Sequence, residues 1–169
     1  MPIAVNTTNM SSIKLGSTEI IRVYLGTSIV YESQKPNIFK FKVTAGQTLT
    51  LQNDTRGAYA MDTDWGDGTK NTSLTHTYST AGTYTVSTVY SVATSTIPNG
   101  YSRPTYDENT ALSLIEVSQI CDKITNINYM FYNCRRLAMS KINVSTIDPS
   151  KFSAAKGTFE YCGYNADMA

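Results

Sequence analysis

The sequence predicts a mainly β fold, and three observations carry that expectation. Only 16 % of the residues are charged, against about 25 % in an average globular chain, and Thr, Ser, Asn and Tyr fill the difference. Apolar and polar residues alternate strictly in Phe39-Lys40-Phe41-Lys42-Val43, the period of a strand with one buried face. Several such short runs follow one another at close spacing, separated by Gly-, Asp- and Ser-containing turns, the pattern of stacked antiparallel sheets. Thr and Tyr suit a half-buried pleated surface, and Ser, Asn and Gly suit the turns between strands. At 169 residues and 41 % hydrophobic, the chain has room for one ordinary domain or two to three small modules.

Residues 1–36 hold a short internal repeat. Leu15-Gly16-Ser17-Thr18-Glu19-Ile20 returns ten residues later as Leu25-Gly26-Thr27-Ser28-Ile29-Val30. Gly beside a small hydroxyl residue, flanked by apolar residues, predicts a tight turn between short strands. The segment reads as a small β meander ending near Tyr31. Such a meander is marginal alone in water, so it is expected to lie against another module or a larger assembly.

Residues 37–96 form the central segment and predict a β-sandwich. After the strand with Phe39, Phe41 and Val43 on one face, Ala45-Gly46-Gln47 turns the chain and Thr48-Leu49-Thr50-Leu51 alternates again. Tyr59 to Trp65 reads as a strand stopped by Gly66-Asp67-Gly68. Thr75 to Tyr78 is a short strand, Ser79 to Gly82 a turn, and Thr83 to Tyr90 a long strand with Tyr84 and Val86 on one face.

Residues 97–169 open with the turn-rich Pro98-Asn99-Gly100 and Arg103-Pro104. Residues 113–134 then align without gaps on residues 141–162. Lys123-Ile124-Thr125 falls on Lys151-Phe152-Ser153, Phe131 on Phe159 and Cys134 on Cys162. That period lies in the range of α/β solenoids built from one strand and one irregular or helical turn per repeat.

Charge and cysteine usage exclude several classes. The net charge is +1 and Arg135-Arg136 is the densest basic pair, so phosphate-driven nucleic-acid binding is not expected. Membrane insertion is not expected either, since no apolar run approaches the length of a bilayer span. The N-terminus lacks the basic and apolar regions of a secretory signal, so the chain as written is expected to start in the cytoplasm of the cell that makes it. The three cysteines, Cys121, Cys134 and Cys162, match neither a disulfide framework nor zinc spacing. They are expected to be small buried apolar residues.

Two stretches resemble known families. Asp64-Trp65-Gly66-Asp67-Gly68-Thr69, then His76-Thr77-Tyr78, then Ala81-Gly82-Thr83-Tyr84-Thr85-Val86 resemble the signature of PKD domains over about sixty residues. The resemblance implies an immunoglobulin-type β-sandwich that serves as a spacer and adhesion module and is not catalytic. Its signature residues here are Trp65, Gly66, Asp67, Gly68, His76, Tyr78, Gly82 and Tyr84. Residues Asn126-Ile127-Asn128-Tyr129-Met130-Phe131-Tyr132-Asn133-Cys134, with the fainter Gly157-Thr158-Phe159-Glu160-Tyr161-Cys162, resemble BspA-type leucine-rich repeats. The pair is similar to surface proteins of gut bacteria and to structural proteins of their phages. The doubled Leu-Gly-Ser/Thr unit also looks like short N-terminal modules of phage tail and head-fibre proteins.

Several side chains invite a chemical reading. Asp62, Asp64 and Asp67, with Asp54 upstream, are the candidate Ca²⁺ ligands. No Ca²⁺ loop of standard spacing is present, so the expectation is turn chemistry, with Asp67 bonding its own backbone and Asp64 capping the turn. His76 is the single histidine. A catalytic partnership with Ser73 or Asp64 lacks a nucleophile elbow or a second histidine, and a hydrogen-bonded structural role is expected. Trp65 is expected in the core. Of twelve tyrosines, Tyr101, Tyr106, Tyr129, Tyr132, Tyr161 and Tyr164 crowd the last third. They are candidates for surface recognition of sugars or proteins, beside the plainer reading of ordinary packing.

The expectation that follows is a non-enzymatic structural protein of a bacteriophage virion, binding no cofactor. It would be a head-decoration, head-fibre or tail-associated component, assembled in the host cytoplasm and exposed on the virion surface. Its partners would be other virion proteins (capsid, portal or tail) through the N-terminal module, with host-surface glycans or proteins as candidate outer ligands; a homo-oligomer is compatible with this. The alternative is a fragment of a bacterial cell-surface adhesin.

Overall fold

The computed structural model describes residues 13–15, 18–20, 22–25, 28–32, 35–51, 61–90, 108–121, 127–146, 149–151 and 155–165. The fold is mainly β with antiparallel sheets. The chain divides into two compact units, Met1–Gln34 and Lys35–Ala169.

The first unit contains β1 (Ile13–Leu15), β2 (Thr18–Ile20), β3 (Arg22–Leu25) and β4 (Ser28–Glu32). β1 pairs with β2 and β3 with β4, both antiparallel, as two separate two-stranded sheets. The continuous meander expected for residues 1–36 is thus two hairpins among the described residues. The repeat explains the difference: Leu15 pairs with Thr18 and Leu25 with Ser28, so each copy of the repeat falls within its own strand pair.

The second unit is built on β5 (Asn37–Val43), β6 (Thr48–Thr50), β7 (Met61–Asp64), β8 (Lys70–Asn71), β9 (Thr75–Thr77), β10 (Gly82–Tyr90), α1 (Glu108–Ser113) and β11 (Leu114–Gln119). Five strands form one sheet in the order β11-β5-β10-β7-β8, and β6 pairs with β9 in a second, smaller sheet. The alternation in β5 buries Asn37, Phe39, Phe41 and Val43, while Ile38 and Lys40 are half-exposed and Lys42 is exposed. Across the smaller sheet Leu49 is fully buried, and it joins Phe39, Phe41, Trp65, Tyr78 and Val86 in one core. Each large apolar side chain withdrawn from water in this way contributes about 1.5–3 kcal/mol.

β5 is paired on both sides. Phe41 lies opposite Tyr84 of β10 and opposite Leu114 of β11. A Lys40–Glu116 ion pair at 2.8 Å spans β5 and β11. Asn37, fully buried, donates from Nδ2 to Thr88 Oγ1 at 3.1 Å and accepts from the Cys121 N–H at 2.8 Å. One amide therefore ties the start of β5 to β10 and to the residue pair after β11.

Beyond β11 the chain coils. Val117 makes a parallel bridge to Ile142, and the Asn143 N–H donates to the Val117 carbonyl at 2.8 Å. Residues 127–134 and 155–162 form two superposed irregular coils. Tyr129, Phe131 and Asn133 donate their N–H groups to the carbonyls of Lys156, Thr158 and Glu160 at 2.8–3.0 Å. Within each coil the same turns recur: Tyr132 to Tyr129 and Cys134 to Phe131 in one, Glu160 to Gly157 and Cys162 to Phe159 in the other. Phe131 stacks on Phe159 with ring centroids 5.7 Å apart, and meets Phe39 edge-on at 6.4 Å. The expected boundary near residue 96 lies outside the described residues. On either side of it, the 37–96 and 97–169 segments share a sheet through β11 and a core through Phe39 and Phe131.

Candidate functional site

The residues singled out around Gly66-Asp67-Gly68 come together at the end of β7. Trp65 leaves the strand fully buried, and its indole Nε1–H donates to Asn71 Oδ1 at 3.0 Å. The turn that follows is fixed by carboxylates. Asp64 Oδ1 accepts from the Gly66 N–H at 3.0 Å and Asp67 Oδ1 from the Thr69 N–H at 2.9 Å, while the Trp65 N–H reaches the Thr69 carbonyl. Glycine is required at 66 on two counts. Its φ is +81°, and a Cβ there would lie 2.5 Å from the Thr85 carbonyl oxygen of β10, so the turn packs backbone against backbone.

His76 lies over this turn. Its Nε2 is 2.6 Å from Asp67 Oδ2, its ring stacks on Trp65 with centroids 5.0 Å apart, and its edge meets Tyr78 at 4.7 Å. Tyr78 in turn stacks on Tyr84 at 4.3 Å, and its buried hydroxyl donates to the Trp65 carbonyl at 2.8 Å. The Tyr84 hydroxyl donates to the Thr80 carbonyl at 3.0 Å. Gly82 begins β10, directly against the Tyr84 ring. Four aromatic rings from β7, β9 and β10 and the loops beside them thus form a continuous stack, and each polar atom named in it meets a protein partner.

Electrostatics agrees with that geometry. The Lys70 ammonium, 2.8 Å from Asp64 Oδ2, and the Gly66 N–H hold the Asp64 carboxyl below the usual carboxylate range. Burial pulls Asp67 upward, but the Thr69 and His76 hydrogen bonds outweigh it and leave the carboxyl lowered. Burial pushes the Tyr78 phenol well up. The structure pairs His76 with Asp67, not with Asp64 or Ser73; the Ser73 hydroxyl donates to the Thr75 carbonyl at 2.8 Å. Of the candidate Ca²⁺ ligands, Asp64 and Asp67 each place one oxygen on the turn's backbone and the other on a cationic or imidazole partner, and Asp62 is exposed on β7. Among the described residues no three His, Cys, Asp or Glu side chains gather closely enough to hold a metal ion. Asp54 lies outside the described residues.

Tyr129 and Tyr132 lie on the first coil and Tyr161 on the second, with Tyr164 just after it. Tyr129 meets Tyr132 edge-on at 5.9 Å and Tyr132 meets Tyr161 at 5.5 Å. Tyr161 and Tyr164 are 57 % and 81 % exposed. Tyr101 and Tyr106 lie outside the described residues. Left-handed backbone recurs in step with the repeat: Tyr129 (φ +53°) stands where the next coil has Gly157 (φ +61°), and Asn133 (φ +59°) where it has Tyr161 (φ +60°). Cys121 and Cys134 are buried and Cys162 half-buried, all as free thiols. Burial raises the Cys134 thiol well above its ordinary value, with Cys162 adding to the effect, and pushes Cys162 up to about 12. Burial thus favours the protonated thiol of both at neutral pH.

Sequence reasoning missed Asn37, Asn71 and Gln47. Each is an amide whose side chain bonds across a turn or between strands, and only Asn71 has a local signal, its place just after the Gly-Asp-Gly turn. No family model, curated protein or solved structure matches the chain.

Proposed function

We propose that the chain is a non-enzymatic structural protein of a bacteriophage virion, a head-decoration, head-fibre or tail-associated component. In this reading residues 1–36 attach it to capsid, portal or tail proteins. Residues 37–96 are a PKD-like immunoglobulin-type sandwich acting as a spacer, and residues 97–169 are a BspA-like repeat segment carrying the outward surface. The observation that carries the reading is the commitment of the reactive side chains to structure. His76 and Asp67 brace a turn, and Cys134 and Cys162 are protonated between coils. The sheet running into the coils through β11 adds the stiffness a spacer needs. The exposed Tyr161 and Tyr164 supply large amphipathic contact area of the kind that recognition surfaces use.

Mass spectrometry and cryo-electron microscopy of purified particles test this. The chain is expected in the virion at a defined position with Tyr161 and Tyr164 facing outward. Its absence from particles, with recovery in the envelope fraction of a bacterium, would reject the virion assignment for the adhesin alternative.

A further inference from the structure

At the end of the second unit's sheet, beside the Tyr78–Tyr84 end of the aromatic stack, lies an open groove of about 990 Å³, at the top of the size range of small-molecule sites, roughly 300–1,000 Å³. Its charged lining among the described residues is Lys42 and Arg136, with no carboxylate among them. Lys42 is exposed and Arg136 half-exposed. The remaining wall is mostly hydroxyl, amide and small residues from the β5–β6 turn, the start of β10 and α1.

The groove is held in shape by two side chains, Gln47 and Thr110. Gln47 Oε1 accepts from the Thr44 N–H at 2.9 Å, and its Nε2 donates to Ser113 Oγ at 2.5 Å and to the Asn109 carbonyl at 3.3 Å. The Thr50 N–H bonds Thr110 Oγ1 at 2.8 Å. The turn and α1 are thereby locked to each other before any ligand arrives, which lowers the ordering cost of binding.

We propose that this groove binds an anionic oligosaccharide, with Lys42 and Arg136 taking its acid groups and the Thr50 and Thr83 hydroxyls of the wall taking its hydroxyls, while those of Thr44, Thr48 and Ser113 hold the wall together. A guanidinium and an ammonium on a wall whose described residues include no carboxylate select an anion, and the guanidinium can hold a carboxylate through two parallel bonds. Hydroxyls both donate and accept, as the neighbouring hydroxyls of a sugar do. Ala45, Gly46, Ala81 and Gly82 on the wall let a polar ligand come close to the backbone. An acidic peptide would share the cations but presents no vicinal hydroxyls to Thr50 and Thr83. The inference does not depend on the virion assignment, because the groove is formed wholly within residues 35–169.

The test is titration of the full chain with tri-galacturonate, followed by calorimetry and by amide shifts. Binding is expected with shifts concentrated at residues 44–48 and 82–83, and the Lys42→Gln/Arg136→Gln double variant is expected to bind at least about tenfold more weakly. Because both side chains reach solvent, that variant is expected to keep the amide spectrum of the core, which checks its fold. Neutral tri-galactose is expected not to bind. The proposal is overturned by no binding at millimolar tri-galacturonate, by equal binding of the neutral trimer, or by undiminished binding in a folded double variant. Hexaglutamate binding as tightly as tri-galacturonate would reassign the groove to acidic peptides and also overturn it.

Discussion

The turn after β7 and the coils after β11 both hold irregular backbone in place, and they do so by different means. The turn relies on dedicated side chains: Asp64, Asp67 and Asn71 accept from backbone or indole N–H groups, and His76 braces Asp67. The coils rely on repetition, as the N–H groups of one coil meet the carbonyls of the next and identical side chains stack on each other. The first arrangement is specified residue by residue and fails at single positions. The second spreads its specification over a period, so it tolerates Tyr129, Asn133 and Tyr161 in left-handed conformations that cost about 1–2 kcal/mol each.

The most damaging way to break the contrast is to remove the side chain that joins the coils to the sheet. Phe131 touches Phe39 of the sheet and Phe159 of the second coil. Phe131→Ala is expected to cost about 3–5 kcal/mol in urea unfolding, with hydrogen exchange rising in the coils and in β11 together.

A paired glycine experiment sharpens the contrast. Gly66→Ala meets the immovable Thr85 carbonyl and a strained φ, and is expected to lose about 3 kcal/mol. Gly157→Ala has a similar φ but meets the Tyr129 ring, which can turn aside, and is expected to lose about 1–2 kcal/mol. Equal losses in the two melting curves would remove the distinction between a turn set by single residues and a repeat that shares the load.

Acid should separate the regions more gently. The folded values of Asp64 and Asp67 are depressed below 3.8. Their contribution is therefore fully present above the ordinary carboxylate range and is lost as pH falls through the depressed folded values. Hydrogen exchange at pH 3 against pH 7, corrected for intrinsic rates, is expected to show loosening at Gly66 and Thr69 before the amides of Tyr129, Phe131 and Asn133.

The smallest change should be favourable. Thr63, on β7 opposite Thr88, is fully buried, and its hydroxyl has no hydrogen-bond partner among the described residues. Thr63→Val removes an unsatisfied group at nearly constant shape, and thermal unfolding is expected to show a gain of up to about 1 kcal/mol.

Much of this was legible in the sequence because it is local. The alternation through Phe39, Phe41 and Val43 fixed the buried face of β5, and the Gly66-Asp67-Gly68 stretch marked its turn. The Phe131/Phe159 and Cys134/Cys162 alignments marked the coils. The junction was not legible. β11 carries register shifts between Leu114 and Glu116 and between Val117 and Gln119, so its buried residues fall at Leu114 and Val117, three apart. A search for strict alternation passes over such a strand. The groove was hidden for a related reason. Its clamp joins Gln47 to residues 62 and 66 positions away, and nothing near Gln47 foretells which partner it will meet.

The double membership of β11 has a mechanical consequence. One edge of this strand is zipped to β5 while the other begins the coiled stack at Ile142, so the seam offers no pivot. A tug on the stack passes into the sheet through hydrogen bonds and the Lys40–Glu116 clasp. Load is thereby shared along a ladder, and bending at that point requires strands to part before the body can flex.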